Sequence, residues 1–217
     1  MAIPYLQVAL DQTALDEAMA SLETLASSVD IIEAGTILCF AEGMKAVRTI
    51  RAKYDKHLVV ADLKVADAGE TLAGLAFGAG ANWMTVICAA PLATMEKARE
   101  TALSHGGDIQ IELFGTWSLD DAKEWLKLGI KQAIFHRGRD AQASGQTWGQ
   151  KDLDLLKALS DLGIEPSVTG GITPKDLSLF RDINVKSFIV GRALYGVADP
   201  AEAARAFHDE IRRHWKA

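Results

Sequence analysis

The segment VVADLKVAD sets Asp62, Lys64 and Asp67 directly after a short apolar run. Residues two apart on a strand project to the same side, so Asp62 and Lys64 are expected to face one way together, with Asp67 in the loop beyond. A carboxylate beside an ammonium can steady a developing anion. The plain alternative is a surface ion pair, which is less natural for charges that follow a buried VVA run. Glu33 ends the preceding run, VDIIEA. With Asp62 it supplies two hard oxygen donors, enough for magnesium when water and substrate fill the other positions. A buried carboxylate salt-bridged to Lys64 reads the same residues equally well. His136 and Arg139, in FHRGRD, can direct water or a proton toward a carbanion, although a lone strand-end histidine is often structural. Gly170-Gly171 and Gly191-Arg192 each follow an apolar run and precede a helix. Such glycines leave backbone N–H groups open to a phosphate and Arg192 adds charge, whereas a glycine pair alone is commonly a turn. Asp11, Glu112 and Thr169 are the remaining polar residues at the ends of such runs.

Something must bring these ends together. Eight short runs rich in Val and Ile alternate with segments of helical period: YLQVAL, VDIIEA, HLVVADLK, NWMTVI, IQIELF, KQAIFH, EPSVTG and KSFIVG. They lack strict polar alternation, as parallel strands covered by helices should. Capping signals punctuate the helices between them. Thr13 and Asp16 resemble a capping box, Ser118 and Asp121 form another, and Thr173-Pro174 and Asp199-Pro200 place a cap before a first-turn proline. Gly129 and Gly163 stand at helix C-termini. No linker divides the 217 residues. The expectation is therefore α/β, a single (β/α)8 TIM barrel over residues 1–217, with the polar strand ends gathered at one mouth. So short a chain leaves the cover of that mouth to loops or a partner subunit.

Composition narrows the partners. With 49% hydrophobic and 24% charged residues, the chain can bury a core. Its net charge of −6, without a Lys/Arg stripe, argues against nucleic acid, so an anionic substrate must be met by local positive groups. Cys39 in ILCF and Cys88 in VICA read as buried thiols and suggest a cytoplasmic protein. The opening MAIPYLQVALDQ has no basic segment, and no apolar run reaches the roughly 20 residues of a membrane span, so neither secretion nor membrane insertion is expected. His57, His105, His208 and His214 are expected to meet solvent, and the five tryptophans to serve packing.

Taken together, LQVALD, VDIIEAGT, ADLKVADAG, IQIELFG, HRGRDAQASG, SVTGGI and FIVGRALY resemble the 3-keto-L-gulonate 6-phosphate decarboxylases of the orotidine-monophosphate-decarboxylase suprafamily, from end to end. Asp62, Lys64 and Asp67 match the suprafamily element. Glu112, Arg139 and Thr169 match the decarboxylase pattern, where hexulose-phosphate synthases typically have Asp, a small apolar residue and Ala. The resemblance implies a phosphorylated keto-sugar acid as substrate, magnesium at Glu33 and Asp62, and an enediolate stabilised by Lys64. It also implies proton delivery through water by His136 and Arg139, and a phosphate at Gly171, Gly191 and Arg192. Asp67 is implied to enter the neighbouring site of a homodimer. Rival readings are hexulose-6-phosphate synthase, a metal-free orotidylate decarboxylase, and a non-catalytic sugar-phosphate sensor, for which the retained Asp62, Lys64 and Asp67 would have little use.

Overall fold

All eight expected strands form in the computed structural model, which describes residues 2–145 and 147–215. They are β1 (Tyr5–Leu10), β2 (Ile31–Ala34), β3 (Leu58–Val65), β4 (Trp83–Ile87), β5 (Asp108–Leu113), β6 (Gln132–His136), β7 (Glu165–Thr169) and β8 (Ser187–Val190). Each pairs in parallel with its neighbours in chain order, and β8 pairs with β1 to close the barrel.

The strands do alternate, in a sense opposite to a surface sheet. Leu6, Val8 and Leu10 of β1 are fully buried in the large core between strands and helices. The residues between them look into the barrel. There Gln7 reaches Glu33 and Ser187, Ser187 reaches Ser167, and Gln110 reaches Gln132. Ala9, Ile134 and Ile189 form a small apolar cluster of their own on the same inward face. The barrel interior is thus largely polar, and its hydrogen bonds offset the desolvation of those groups.

The outer layer consists of α1 (Leu15–Leu25), α2 (Thr36–Glu42), α3 (Lys45–Lys53), α4 (Gly69–Gly78), α5 (Leu92–Ser104), α6 (Leu119–Lys127), α7 (Arg139–Ala143), α8 (Gln150–Leu162), α9 (Arg192–Tyr195) and α10 (Pro200–His214). Ser118 and Asp121 form a reciprocal capping box at α6, Asp199 caps α10, and Gly129 and Gly163 take left-handed conformations. Thr173 caps a 3-10 helix, Pro174–Phe180. The expected box at α1 does not form. Its N-cap is Ala14, and the Leu15 N–H donates instead to Glu42 at the end of α2, 3.1 Å away. A tertiary acceptor has replaced the local one.

Three histidines also differ from expectation, and of these His214 is half-buried with its Nε2 3.2 Å from Glu210. His57 and His208 are half-buried and bond the carbonyls of Ala26 and Ser28, so they tie elements together rather than face water. Cys39 is buried, with its thiol pushed up to about 12 by burial and the nearby carboxylates of Asp62 and Glu33, while Cys88 is only half-buried. Four of the five tryptophans join one packed aromatic train running from Trp125 and Trp117 through Phe135, Trp148, Phe180 and Phe188 to Trp215, while Trp83 meets the Lys186 ammonium, 5.8 Å from its ring centroid. No helix among the described residues is long and apolar enough to cross a membrane.

Candidate active site

One cavity of about 1150 Å³ opens at the C-terminal end of the barrel. Of the residues singled out by the sequence, all except Asp67 line it. Strand register explains the gathering. His136 lies level with Thr169, and Thr169 with Ile189, so inward positions of adjacent strands reach the rim together.

Lys64 is at the centre. Its Nζ donates to Asp62 Oδ2 at 2.5 Å and to Thr36 Oγ1 at 2.6 Å, and lies 3.7 Å from Glu112 Oε1. The Lys64 side chain is 21% exposed. Asp62 also accepts from Thr36 at 2.6 Å and from Thr85 at 2.7 Å, while Thr85 receives the Lys64 backbone N–H at 2.8 Å. Asp62 and Lys64 do meet as expected, but simple alternation is not the reason. Lys64 has φ +48°, and the pairing of β3 with β4 slips between Ala61 and Val65. A non-glycine residue in this region costs on the order of 1 kcal/mol, and the Thr85 bond holds it there.

Charge is unevenly balanced in this mouth. Burial pushes the Asp62 carboxyl up, but Lys64 and the hydrogen bonds from Lys64, Thr36 and Thr85 outweigh it and leave the group below its ordinary range. Burial likewise pulls Lys64 down, yet Asp62, Glu112 and Glu33 more than restore it, so its ammonium is held firmly protonated. Glu33, 5% exposed, has less relief. Burial first, then repulsion from Asp62, raises its pKa well above normal, and Lys64 offsets this only in part. Asp11 is raised by burial although Arg139 opposes it from 3.2 Å.

That imbalance is what a cation would relieve. Among the described residues no three His, Cys, Asp or Glu side chains surround a common point. A site built on Glu33 and Asp62 must therefore take its other oxygens from water and substrate, as magnesium commonly does. The oxygen-only donors and the surplus negative charge fit that ion.

Next to Lys64, Glu112, 2% exposed, sits 2.5 Å from His136 Nδ1. A carboxylate there favours the tautomer protonated at Nδ1 and leaves Nε2 as the nitrogen for water or substrate. His136 also packs on the Phe114 ring, 4.5 Å between centroids. Arg139 reaches across the mouth to Asp11, so the segment after β6 forms part of its cover. The Thr169 hydroxyl donates to the Ile189 carbonyl at 3.0 Å. Gly170 and Gly171 have φ of +116° and +65°, open to glycine at no steric cost. Gly191 precedes α9, and the exposed Arg192 side chain has no hydrogen bond or ion pair among the described residues. Asp67 is exposed and lies outside the cavity of its own barrel.

Four residues of the site were not anticipated. Thr36 and Thr85 clamp Asp62, Gln7 donates to Glu33 Oε2, and Arg137 binds the Gly170 carbonyl. Arg137 alone left a trace in the sequence, as the first arginine of HRGR.

A closed parallel barrel with a polar mouth of this kind has a matching family. The family model described as "Orotidine 5'-phosphate decarboxylase / HUMPS family" matches residues 4–207, and the chain belongs to that family. Its relatives include "3-keto-L-gulonate-6-phosphate decarboxylase SgbH" of Escherichia coli K12, 61% identical over 99% of this chain and 98% of that protein. The 3-keto-L-gulonate-6-phosphate decarboxylase of Vibrio cholerae superposes with a TM-score of 0.94, at 50% identity over 99% of this chain and 100% of that one. A crystal structure of the KGPDC of Streptococcus mutans gives 0.96, at 44% identity over 99% of this chain and 100% of that one.

Proposed function

We propose that the chain is a carboxy-lyase that converts 3-keto-L-gulonate 6-phosphate to L-xylulose 5-phosphate and carbon dioxide, with magnesium held by Glu33 and Asp62. The observation that carries this reading is the Lys64 ammonium, fixed between Asp62 and Glu112 at the base of the cavity. The names of the relatives add the substrate class.

A 3-keto acid carries its own electron sink. When the bond to the carboxylate breaks, the electron pair moves toward the C3 carbonyl, giving an enediolate and free carbon dioxide; one proton added at the former C2 completes the ketopentose. Magnesium, when bound, supplies positive charge to the substrate oxygens. Lys64 faces the developing oxyanion, and its fixed position means little reorganisation is needed as charge grows. His136, oriented by Glu112, and Arg139, oriented by Asp11, are placed to hold the water that delivers the proton. Gly171, Gly191 and Arg192 take the phosphate, and Thr169 and Gly170 shape the wall beside it. Incubation with the keto acid and magnesium is expected to release carbon dioxide and L-xylulose 5-phosphate in equal amounts. Turnover of orotidylate without metal would refute the reading.

The working form is a homodimer in which Asp67 completes the partner's site. Phe40, 83% exposed on α2, and Leu75, 55% exposed on α4, supply apolar surface on helices that flank β3, the strand leading to Asp67. Mixing inactive Lys64→Ala and Asp67→Ala proteins, with subunit exchange, is expected to restore about a quarter of wild-type activity, since half the dimers are mixed and each regains one intact site. No recovery on exchange would exclude shared sites.

A further inference from the structure

We propose that Arg137 is a positioning residue that sets the phosphate-binding amides of the turn after β7. The inference rests on the phosphate reading above. Arg137 Nε and Nη2 both donate to the Gly170 carbonyl, at 2.9 and 2.6 Å, and Nη2 lies 3.4 Å from the Gly171 carbonyl. No peptide bond among the described residues is cis. In a trans peptide the C=O and N–H point in opposite directions. Pinning the Gly170 carbonyl therefore turns the Gly171 N–H away from Arg137, and pinning the Gly171 carbonyl does the same for the Ile172 N–H. Neither amide has an acceptor among the described residues, which is the state an anion site requires.

Arg137 is itself held from both ends. Its N–H donates to the Thr169 carbonyl at 3.1 Å, and its own carbonyl accepts from Gln142 Nε2 at 2.7 Å. The guanidinium lies over the Trp148 ring, 5.1 Å from the centroid. A planar fork can give two N–H groups to one oxygen and still reach the next; a lysine ammonium on the same path cannot stack on the ring in this way. The close fit is also visible at Gly170, where an added Cβ would strike the Arg137 backbone and side chain.

The test uses the intact enzyme, inorganic phosphate as competitive inhibitor, and amide NMR. Arg137→Lys and Arg137→Gln are expected to raise KM and the phosphate inhibition constant about 10-fold, with kcat changed less than about twofold, because the affected contacts are equal in ground and transition states. In the parent, the Gly171 and Ile172 amide signals should move on phosphate addition; in the variants they should move much less. Variants that bind phosphate like the parent, alongside an Arg192→Ala protein that does not, would overturn the role of Arg137 alone. A parent in which neither amide responds, and an Arg192→Ala protein with unchanged affinity, would remove the phosphate reading and this inference with it.

Discussion

Lys64→Ala is expected to lower kcat by about 10³-fold while KM changes little, the pattern for a group whose interaction is realised as charge develops. The ammonium is prepared for this by its surroundings. Asp62 and Glu112 hold it charged, and Thr36 and Thr85 fix the geometry through the carboxylate and the backbone. The fold should survive the change, because Asp62 keeps its bonds from both threonines when the lysine is gone. Alanine keeps the Cβ and so the same left-handed backbone cost, and the Thr85 bond to the backbone N–H still holds that turn, so the thermal midpoint is expected to stay within a few degrees. Steady-state rates and a melting curve on the same preparation check both halves. Turnover near the parent's would remove Lys64 from the chemistry.

Chelation is expected to abolish turnover and added magnesium to restore it, and Glu33→Gln to raise the magnesium needed for half-maximal rate by about 10- to 100-fold. The substitution keeps the shape of the side chain and an oxygen able to accept from Gln7, but removes a charge. Its effect on the metal-free protein runs the other way. Because the folded state raises the pKa of Glu33, ionisation of that group works against folding: the contribution is absent below the ordinary glutamate range and grows as pH rises through it. Glu33→Gln should therefore be more stable than the parent at neutral pH without metal, and equal to it in acid. Metal titrations by rate and by calorimetry, with melts at two pH values, separate the two effects. Indifference of the parent to chelator would point to the orotidylate branch.

The barrel was legible because its eight apolar runs are separated by segments with their own start and stop signals, as at Ser118 and Gly129. The charged rim was legible for a related reason, since Glu33, Asp62, Lys64, Glu112 and His136 stand where an apolar run stops, and a charge there demands explanation. Neutral polar residues raise no such demand. Gln7, Thr36 and Thr85 are unremarkable in sequence, and only the register between neighbouring strands shows that Gln7 lies beside Glu33 and Thr85 beside Asp62. The capping box at Thr13 failed because Glu42, 27 residues from Leu15, offered an acceptor that no local pattern could reveal. Lys64 met Asp62 through a backbone turn that strand periodicity does not contain. Pairwise partnership across the barrel is a property of register, and register is set by the closed sheet as a whole.

The most direct measurement is one incubation of the enzyme with 3-keto-L-gulonate 6-phosphate and magnesium in deuterium oxide, followed by NMR of the products. Loss of carbon dioxide to an enediolate that is then protonated by solvent-derived water predicts L-xylulose 5-phosphate carrying a single deuterium at C1. Product with no deuterium at C1, or unchanged substrate with no carbon dioxide released, would contradict it.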